Sequence, residues 1–269
     1  MEIYDELFSI LKDNNWNGSW YELEKICAVQ QGKGWAGDGS IDVEISSCLN
    51  FFKNSPKTII DIGSNKGVYT ETLLEKNPNS FYYLFEPSRT NLDILEKKFK
   101  SYDNVSIIPC ALSHTSNSSL LYSNEPGSGL ASLTQRKLDH FGISMNYVEE
   151  IKTIRFDEYW KSLDDKSSHI DYVKMDVEGH EMDVLEGFGN LIEKVKLIQF
   201  EFGGCNIDTK IFFQDFWYYF KDKNFDIYRI TPNGPSYIPS YTEYDEFFST
   251  TNYIAVNNDL RKYNAIQMF

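Results

Sequence analysis

A chain of 269 residues, 41% hydrophobic and 25% charged, can bury a full core, and a single domain is the default at this size. Its 26 Lys and Arg against 40 Asp and Glu give a net charge of −14, which repels polyanions; with no long basic run, nucleic acid is not an expected partner. Cys27, Cys48, Cys110 and Cys205 show no CxxC or paired spacing, so they read as reduced, buried thiols rather than a disulfide frame or a metal site.

Met1 to Ile10 contains Glu2, Asp5 and Glu6 and lacks a basic start followed by an apolar core. Neither a secretory signal nor a membrane span is expected there, and the cytoplasm is the expected compartment. Residues 1–55 read as an N-terminal section: an amphipathic start (Ile3, Leu7, Ile10, Leu11), a glycine-rich stretch from Gln31 to Ser40, and a helix over Ile41 to Phe52. Gly32, Gly34, Gly37 and Gly39 around Trp35 suit either a flap over a ligand or a plain surface linker.

The most informative segment follows, TIIDIGSNKG at 58–67. β-Branched residues without a polar face suit a parallel strand covered on both sides, and Gly63 and Gly67 would let the backbone pass close to a ligand before a helix over 67–76. Asp61 could accept a hydrogen bond from a ligand's ammonium group. Asn65 stands where GxGxxG has its middle glycine, so an amino-acid-bearing nucleoside fits better than a pyrophosphate.

The next strand, FYYLF at 81–85, ends in Glu86-Pro87, which puts a carboxylate about 20–25 residues beyond the glycine turn, where doubly wound folds hold ribose hydroxyls. A helix near 88–100 leads to VSIIPCALS at 105–113, where small Cys110 and Ala111 either leave room for a flat ring or pack in the core. Between Leu120 and Arg155 the alternation lapses into a Ser- and Gly-rich loop.

The pattern returns at 170–181, IDYVKMDVEGHE. Here Asp176, Glu178, His180 and Glu181 crowd a strand-to-helix turn and raise one another's charging cost, as acid–base sites do. Glu181 also has a structural explanation at a helix start. A strand at 196–202 ending beside Glu201, a helix at 211–220, and strands at 225–230 and 252–256 complete the chain.

DIGSNKG, the FEP of 85–87, the ALS of 111–113 and VKMDVEGHEMDVLEG at 173–187 occur in one order and together resemble the FkbM-type family of S-adenosylmethionine-dependent methyltransferases, over roughly Lys57 to Phe202. The resemblance implies a class I methyltransferase (Rossmann-like) α/β fold over 56–269. Such a fold has a mostly parallel seven-stranded sheet, helices on both faces and a C-terminal antiparallel hairpin. It also implies S-adenosyl-L-methionine as cofactor and, most often, O-methylation of a hydroxyl on a sugar, glycan or natural-product small molecule. Position by position, Asp61, Gly63, Ser64, Asn65 and Gly67 match the first cofactor loop, Glu86 and Pro87 the ribose segment, Cys110, Ala111 and Leu112 the adenine region, and Asp176 and Glu178 the DxEG turn. Two positions depart from the pattern: Ser64 replaces a common Ala, and Phe156-Asp157 a usual Leu-Asp.

Methyl transfer to oxygen is an in-line displacement needing a positioned acceptor and a group to take its proton. His180 is the better-matched base near neutral pH; Asp176, Glu178 and Glu201 would orient the cofactor's ammonium group, act as bases or hold Mg²⁺. Trp217, Tyr218, Tyr219, Tyr237, Tyr241 and Tyr244 could stack on sugar faces. A metal-dependent O-methyltransferase, a nicotinamide oxidoreductase using the same glycine turn, and a non-catalytic binding module are the alternatives.

Overall fold

The computed structural model describes residues 9, 20–35, 41–163 and 169–261. The expected amphipathic start, and Gly37 and Gly39 of the glycine-rich stretch, lie outside the described residues. Helices α1 (Trp20–Gln30) and α2 (Ile41–Leu49) precede an alternating core: β1 (Thr58–Ile62), α3 (Val68–Lys76), β2 (Phe81–Phe85), α4 (Arg89–Lys98) and β3 (Val105–Ile108). Then come β4 (Ala111–Leu112), β5 (Asn117–Ser123), β6 (Tyr147–Ile154), α5 (Phe156–Ser162), β7 (Ile170–Met175), α6 (Glu181–Phe188) and β8 (Val195–Phe202). The chain closes with α7 (Cys205–Thr209), α8 (Phe213–Asp222), β9 (Phe225–Thr231), β10 (Gly234–Ile238), β11 (Thr251–Asn257) and α9 (Asn258–Arg261).

The main sheet runs β10-β9-β11-β8-β7-β1-β2-β3. Strands β3, β2, β1, β7 and β8 are parallel; β11 is antiparallel to both β8 and β9, and β10 to β9. Along β1, Ile60 and Ile62 enter one buried cluster with Val173, Phe200 and Phe216, while Ile59 enters the other with Leu84, Tyr172 and Leu197. Burial on both faces is why β1 and β7 read as almost unbroken apolar runs. The strand order reverses between β1 and β7, and in open α/β sheets the crevice outside the carboxyl ends at such a reversal is where ligands bind.

The main sheet has eight strands rather than the expected seven. The extra one, β10, carries Pro235, which donates no ladder hydrogen bond and is tolerated because β10 lies at the edge. The expected lapse over 120–155 is also corrected: β5 and β6 pair antiparallel and form a separate sheet, β4-β6-β5. Their polar outward residues, among them Ser118, Glu150 and Lys152, hid the strand pattern from a hydrophobicity reading. The run 105–112 is not one strand, because after Ile108 the chain turns at Pro109 and joins this second sheet at Ala111.

Helix α2 belongs to the core: Ile45 and Cys48 are buried with Ile59 and Tyr172. The described part of the glycine-rich stretch is docked on the C-terminal strands. A side chain at Gly32 would lie 2.0 Å from the Ile230 carbonyl oxygen, and Gly34 N–H donates to Thr251 Oγ1 at 3.2 Å. Among the described residues no helix is long and apolar enough to cross a membrane.

Candidate functional site

Two adjoining cavities open at the carboxyl edge of the parallel strands, and Gly63, Asn65 and Asp176 stand in the wall of both. The first, about 80 Å³, lies over β2 and the β4 segment and is lined in part by Glu86, Pro87, Ala111, Leu112, Glu178 and His180. The second, about 280 Å³, lies toward β8 and α2 and is lined in part by Glu44, Ser64, Tyr69, Lys174, Glu201 and Asn252.

The turn after β1 is held by Gly63 N–H and Ser64 N–H, which both donate to the Phe85 carbonyl at 2.9 and 3.2 Å. Gly63 has φ 78°, and a side chain there would lie 2.0 Å from the Asp176 carbonyl oxygen. At Gly67 it would meet Phe99 at 2.6 Å and Leu95 at 2.7 Å. The room each glycine makes is therefore filled by protein: at 63 by the turn after β7, at 67 by the α4 region. Gly67 lines neither cavity.

Asp61 also lies behind the walls rather than in them. It is buried, its Oδ2 accepts from Thr70 Oγ1 at 2.5 Å, and its Oδ1 has no partner among the described residues. Burial pushes its carboxyl up against the pull of Lys174. Ser64 Oγ donates to the Asp61 carbonyl oxygen at 2.9 Å.

Glu86 is in the wall and pre-ordered. Its Oε2 accepts Asn65 N–H at 2.8 Å, and its Oε1 accepts Ser88 N–H at 2.9 Å and Asn91 Nδ2 at 3.4 Å. A carboxylate offers about four acceptor sites, so one remains for a ligand hydroxyl. Ala111 and Leu112 line the first cavity, whereas Cys110 packs in the core with Phe85 and Trp160 and lines neither.

The acidic turn is divided between the cavities. Asp176, reaching both, accepts from Lys174 Nζ at 3.0 Å. Glu178 is paired with Arg136, which also lies 3.7 Å from Asp208. Burial, then Asp176, raise the Glu178 carboxyl to about 8 against the pull of Arg136. His180 contacts Ser113 Oγ through Nε2 at 3.1 Å and Asp183 through Nδ1 at 3.1 Å, and burial lowers its pKa. It stands in the first cavity and Glu201 in the second, so the two are not brought together. Burial, then Asp176, Glu178 and Glu181, push the Glu201 carboxyl well up.

The three carboxylates proposed for a divalent ion are not assembled to take one, because Lys174 and Arg136 hold two of them. Among the described residues, the His114, Asp183 and Glu186 ligand atoms lie within 4.8 Å of one another, and none of these residues is in either cavity wall. The aromatic residues 217–219, 237, 241 and 244 line neither cavity, and Trp217 is buried in the core.

Sequence reasoning missed Lys174, Arg136, Glu44 and Asn252. A lysine inside a strand buried along its whole length was the available signal for Lys174, and it answers the charges of half-exposed Asp176 and buried Asp61. Glu44 and Asn252 are fixed through Gln199, a wholly buried residue of β8. Its Nε2 donates to Glu44 at 2.8 Å and to Asn252 at 3.4 Å, while its Oε1 accepts from Tyr69 and Tyr172 at 2.5 and 2.6 Å. The segment between β5 and β6 covers the first cavity through Ser128, Ser132 and Leu133, and Ser132 Oγ donates to the Glu178 carbonyl at 2.8 Å.

A family model described as the methyltransferase FkbM domain matches residues 61–228. Comparison with curated proteins finds no match. Among solved structures the chain is similar to a precorrin-6y C5,15-methyltransferase from Geobacter metallireducens GS-15, at 11% identity over 80% of this chain and 89% of that one, with a TM-score of 0.41. It is similar to an rRNA methylase from Streptococcus thermophilus, at 9% identity over 83% and 99%, with a TM-score of 0.45. It is also similar to the N-methyltransferase NodS of Bradyrhizobium japonicum WM9, at 7% identity over 81% and 94%, with a TM-score of 0.44.

Proposed function

The chain belongs to the methyltransferase FkbM domain family, and from that premise we propose that it is an S-adenosylmethionine-dependent O-methyltransferase acting on a hydroxyl of a small polar acceptor. The observation that carries this reading is the pair of cavities with a common wall of Gly63, Asn65 and Asp176, one for a nucleoside and one for an acceptor.

S-adenosylmethionine, when bound, supplies a methyl group on a sulfonium that an acceptor oxygen can displace. The residues present fit it: Glu86 keeps acceptor capacity for ribose hydroxyls beside Pro87, and small Ala111 with Leu112 leaves a flat apolar wall for a base. Asp176 is the carboxylate in both walls, so in this reading it accepts the hydrogen bond of the acceptor hydroxyl and takes its proton, while the hydrogen bond from Lys174 orients it. Glu178, tied to Arg136, holds the covering segment down. His180, neutral and fixed between Ser113 and Asp183, shapes the nucleoside side.

Calorimetric titration with S-adenosylmethionine and S-adenosylhomocysteine tests the reading. Glu86→Gln keeps the fold and weakens cofactor binding by about 1–3 kcal/mol, the cost of a displaced charge-assisted hydrogen bond. Absence of binding in the unmodified protein, or unchanged affinity in the variant, would count against it.

A further inference from the structure

Resting on the reading of the first cavity as the nucleoside site, we propose that residues 124–131, the tip of the covering segment, form a lid that lifts to admit the cofactor and closes over it.

Size gives the first reason. At about 80 Å³ the first cavity is smaller than the roughly 300 Å³ at which small-molecule sites begin, so one of its walls has to give before a nucleoside can enter. Most of the wall is tied down. Gly63 and Ser64 bond the Phe85 carbonyl through their N–H groups, and Glu86 is held by the N–H groups of Asn65 and Ser88. Ala111 and Leu112 are paired in register with β6, and the Glu181 carboxylate ties the turn after β7 through Val177 and Gly179.

The tip has no such tie. Tyr122 and Ser132 exchange backbone hydrogen bonds of 2.8 and 2.9 Å that close its stem, and Ser132 and Arg136 fasten the chain beyond it to Glu178. Among the described residues, the hydrogen bonds of 124–131 all stay within 123–131. Ser123 Oγ and Ser128 N–H donate to the Glu125 carbonyl at 2.9 and 3.3 Å, Ser128 Oγ to Asn124 Oδ1 at 2.5 Å, and Leu130 N–H to Ser128 Oγ at 3.1 Å. Only contact holds the tip to the cavity: a side chain at Gly127 would lie 2.8 Å from Asn91 Oδ1, and one at Gly129 3.3 Å from Asn65 Nδ2. A loop that is bonded to itself, closed at its stem and resting by contact can open as a unit at low cost.

What lies beneath the tip gives the second reason. Asn91 is 2% exposed and lines the cavity, and its Oδ1 has no partner among the described residues; nor has Asn65 Oδ1. A buried acceptor left unpaired costs free energy that an entering donor recovers, and the hydroxyl and amino groups of a nucleoside are such donors. The closed form is therefore favoured more when loaded than when empty.

A cross-link tests the lid by locking it. Thr90→Cys with Gly127→Cys puts two thiols on carbons that would stand 3.3 Å apart, within a small adjustment of disulfide spacing. In calorimetry the oxidised double variant is expected to bind S-adenosylhomocysteine at least about tenfold more weakly than the same protein reduced, while wild type is indifferent to reductant. Equal affinity in the two redox states would overturn the proposal. A second variant, Asn91→Cys, places a thiol beneath the closed tip, with exposed Cys27 and buried Cys48 as internal references. A thiol reagent should modify the new thiol faster than Cys48 in the free protein, and bound S-adenosylhomocysteine should slow it at least about tenfold. Reactivity as low as that of Cys48, or no slowing by bound ligand, would overturn the proposal as well. If wild type does not bind S-adenosylhomocysteine, the methyltransferase reading fails, and reactivity in the free protein decides by itself whether the tip opens.

Discussion

Replacing Glu181 by Gln isolates the cost of packing carboxylates into the turn after β7. Glu181 is wholly buried; its Oε1 accepts Val177 N–H at 3.1 Å and Gly179 N–H at 3.3 Å, while Oε2 has no partner among the described residues. Burial raises its carboxyl from 4.5 to about 7. Between those values the folded chain holds a proton that the unfolded chain has lost, so this group's contribution to stability is highest in mild acid and declines as the pH rises. A rise from 4.5 to about 7, at about 1.4 kcal/mol per pH unit, amounts to about 3 kcal/mol. Glutamine keeps the oxygen that accepts the two amides and removes the titration. Urea unfolding of both proteins at about pH 5 and about pH 8 should show wild type losing about 2–3 kcal/mol more than Glu181→Gln across that interval. Glu178 and Glu201 also feel the Glu181 charge, so its removal eases their own upward shifts and adds to the difference in the same direction. Identical pH dependence in the two would refute the argument that burial holds this proton.

Gly63→Ala should destabilise the fold by at least about 3 kcal/mol, from a left-handed φ of 78° together with a backbone oxygen 2.0 Å from the new carbon; a denaturant midpoint within error of wild type would contradict it. Lys174→Met leaves the buried Asp61 without the cation that opposes its burial, so a loss of about 1–3 kcal/mol is expected by urea unfolding, and a neutral or stabilising result would contradict that role for Lys174. His180→Ala should lower turnover less than about tenfold at saturating cofactor, since His180 lines the first cavity, which the proposed function gives to the nucleoside; a fall of about 10²-fold or more would restore it as the base.

What could be read in advance was what local chemistry dictates. Thr58–Ile62 and Ile170–Met175 are covered on both faces, so their apolar runs ended in turns that declared themselves, and Glu86 followed at the spacing a second parallel strand imposes. The class I methyltransferase fold was legible on that basis, as the family match over 61–228 agrees. The strands of the small sheet were not legible, because one face of β6 carries Glu150 and Lys152 toward solvent and only Ile151 and Thr153 are buried within it. The site was half legible. Glu86, Ala111, Asp176 and Glu178 came from contiguous motifs, whereas Glu44, Arg136 and Asn252 arrive from distant segments, and no local pattern announces such meetings. Gly63 and Gly67 were correctly placed in the turn, but the reason for them is chain-to-chain packing across β7 and α4, which only the tertiary contact reveals.

Ser123 and Tyr147, the residues flanking the covering segment, are direct partners across an antiparallel pair. A loop whose two stems already meet can change in length at a cost that grows only with the logarithm of its size. Residues 124–146 can therefore change in length without altering the register of β5 and β6, provided that Ser132 and Arg136, which tie the segment to Glu178, are kept. Because the segment lines the first cavity and not the second, changes in it reshape one cavity and leave the wall of the other as it is.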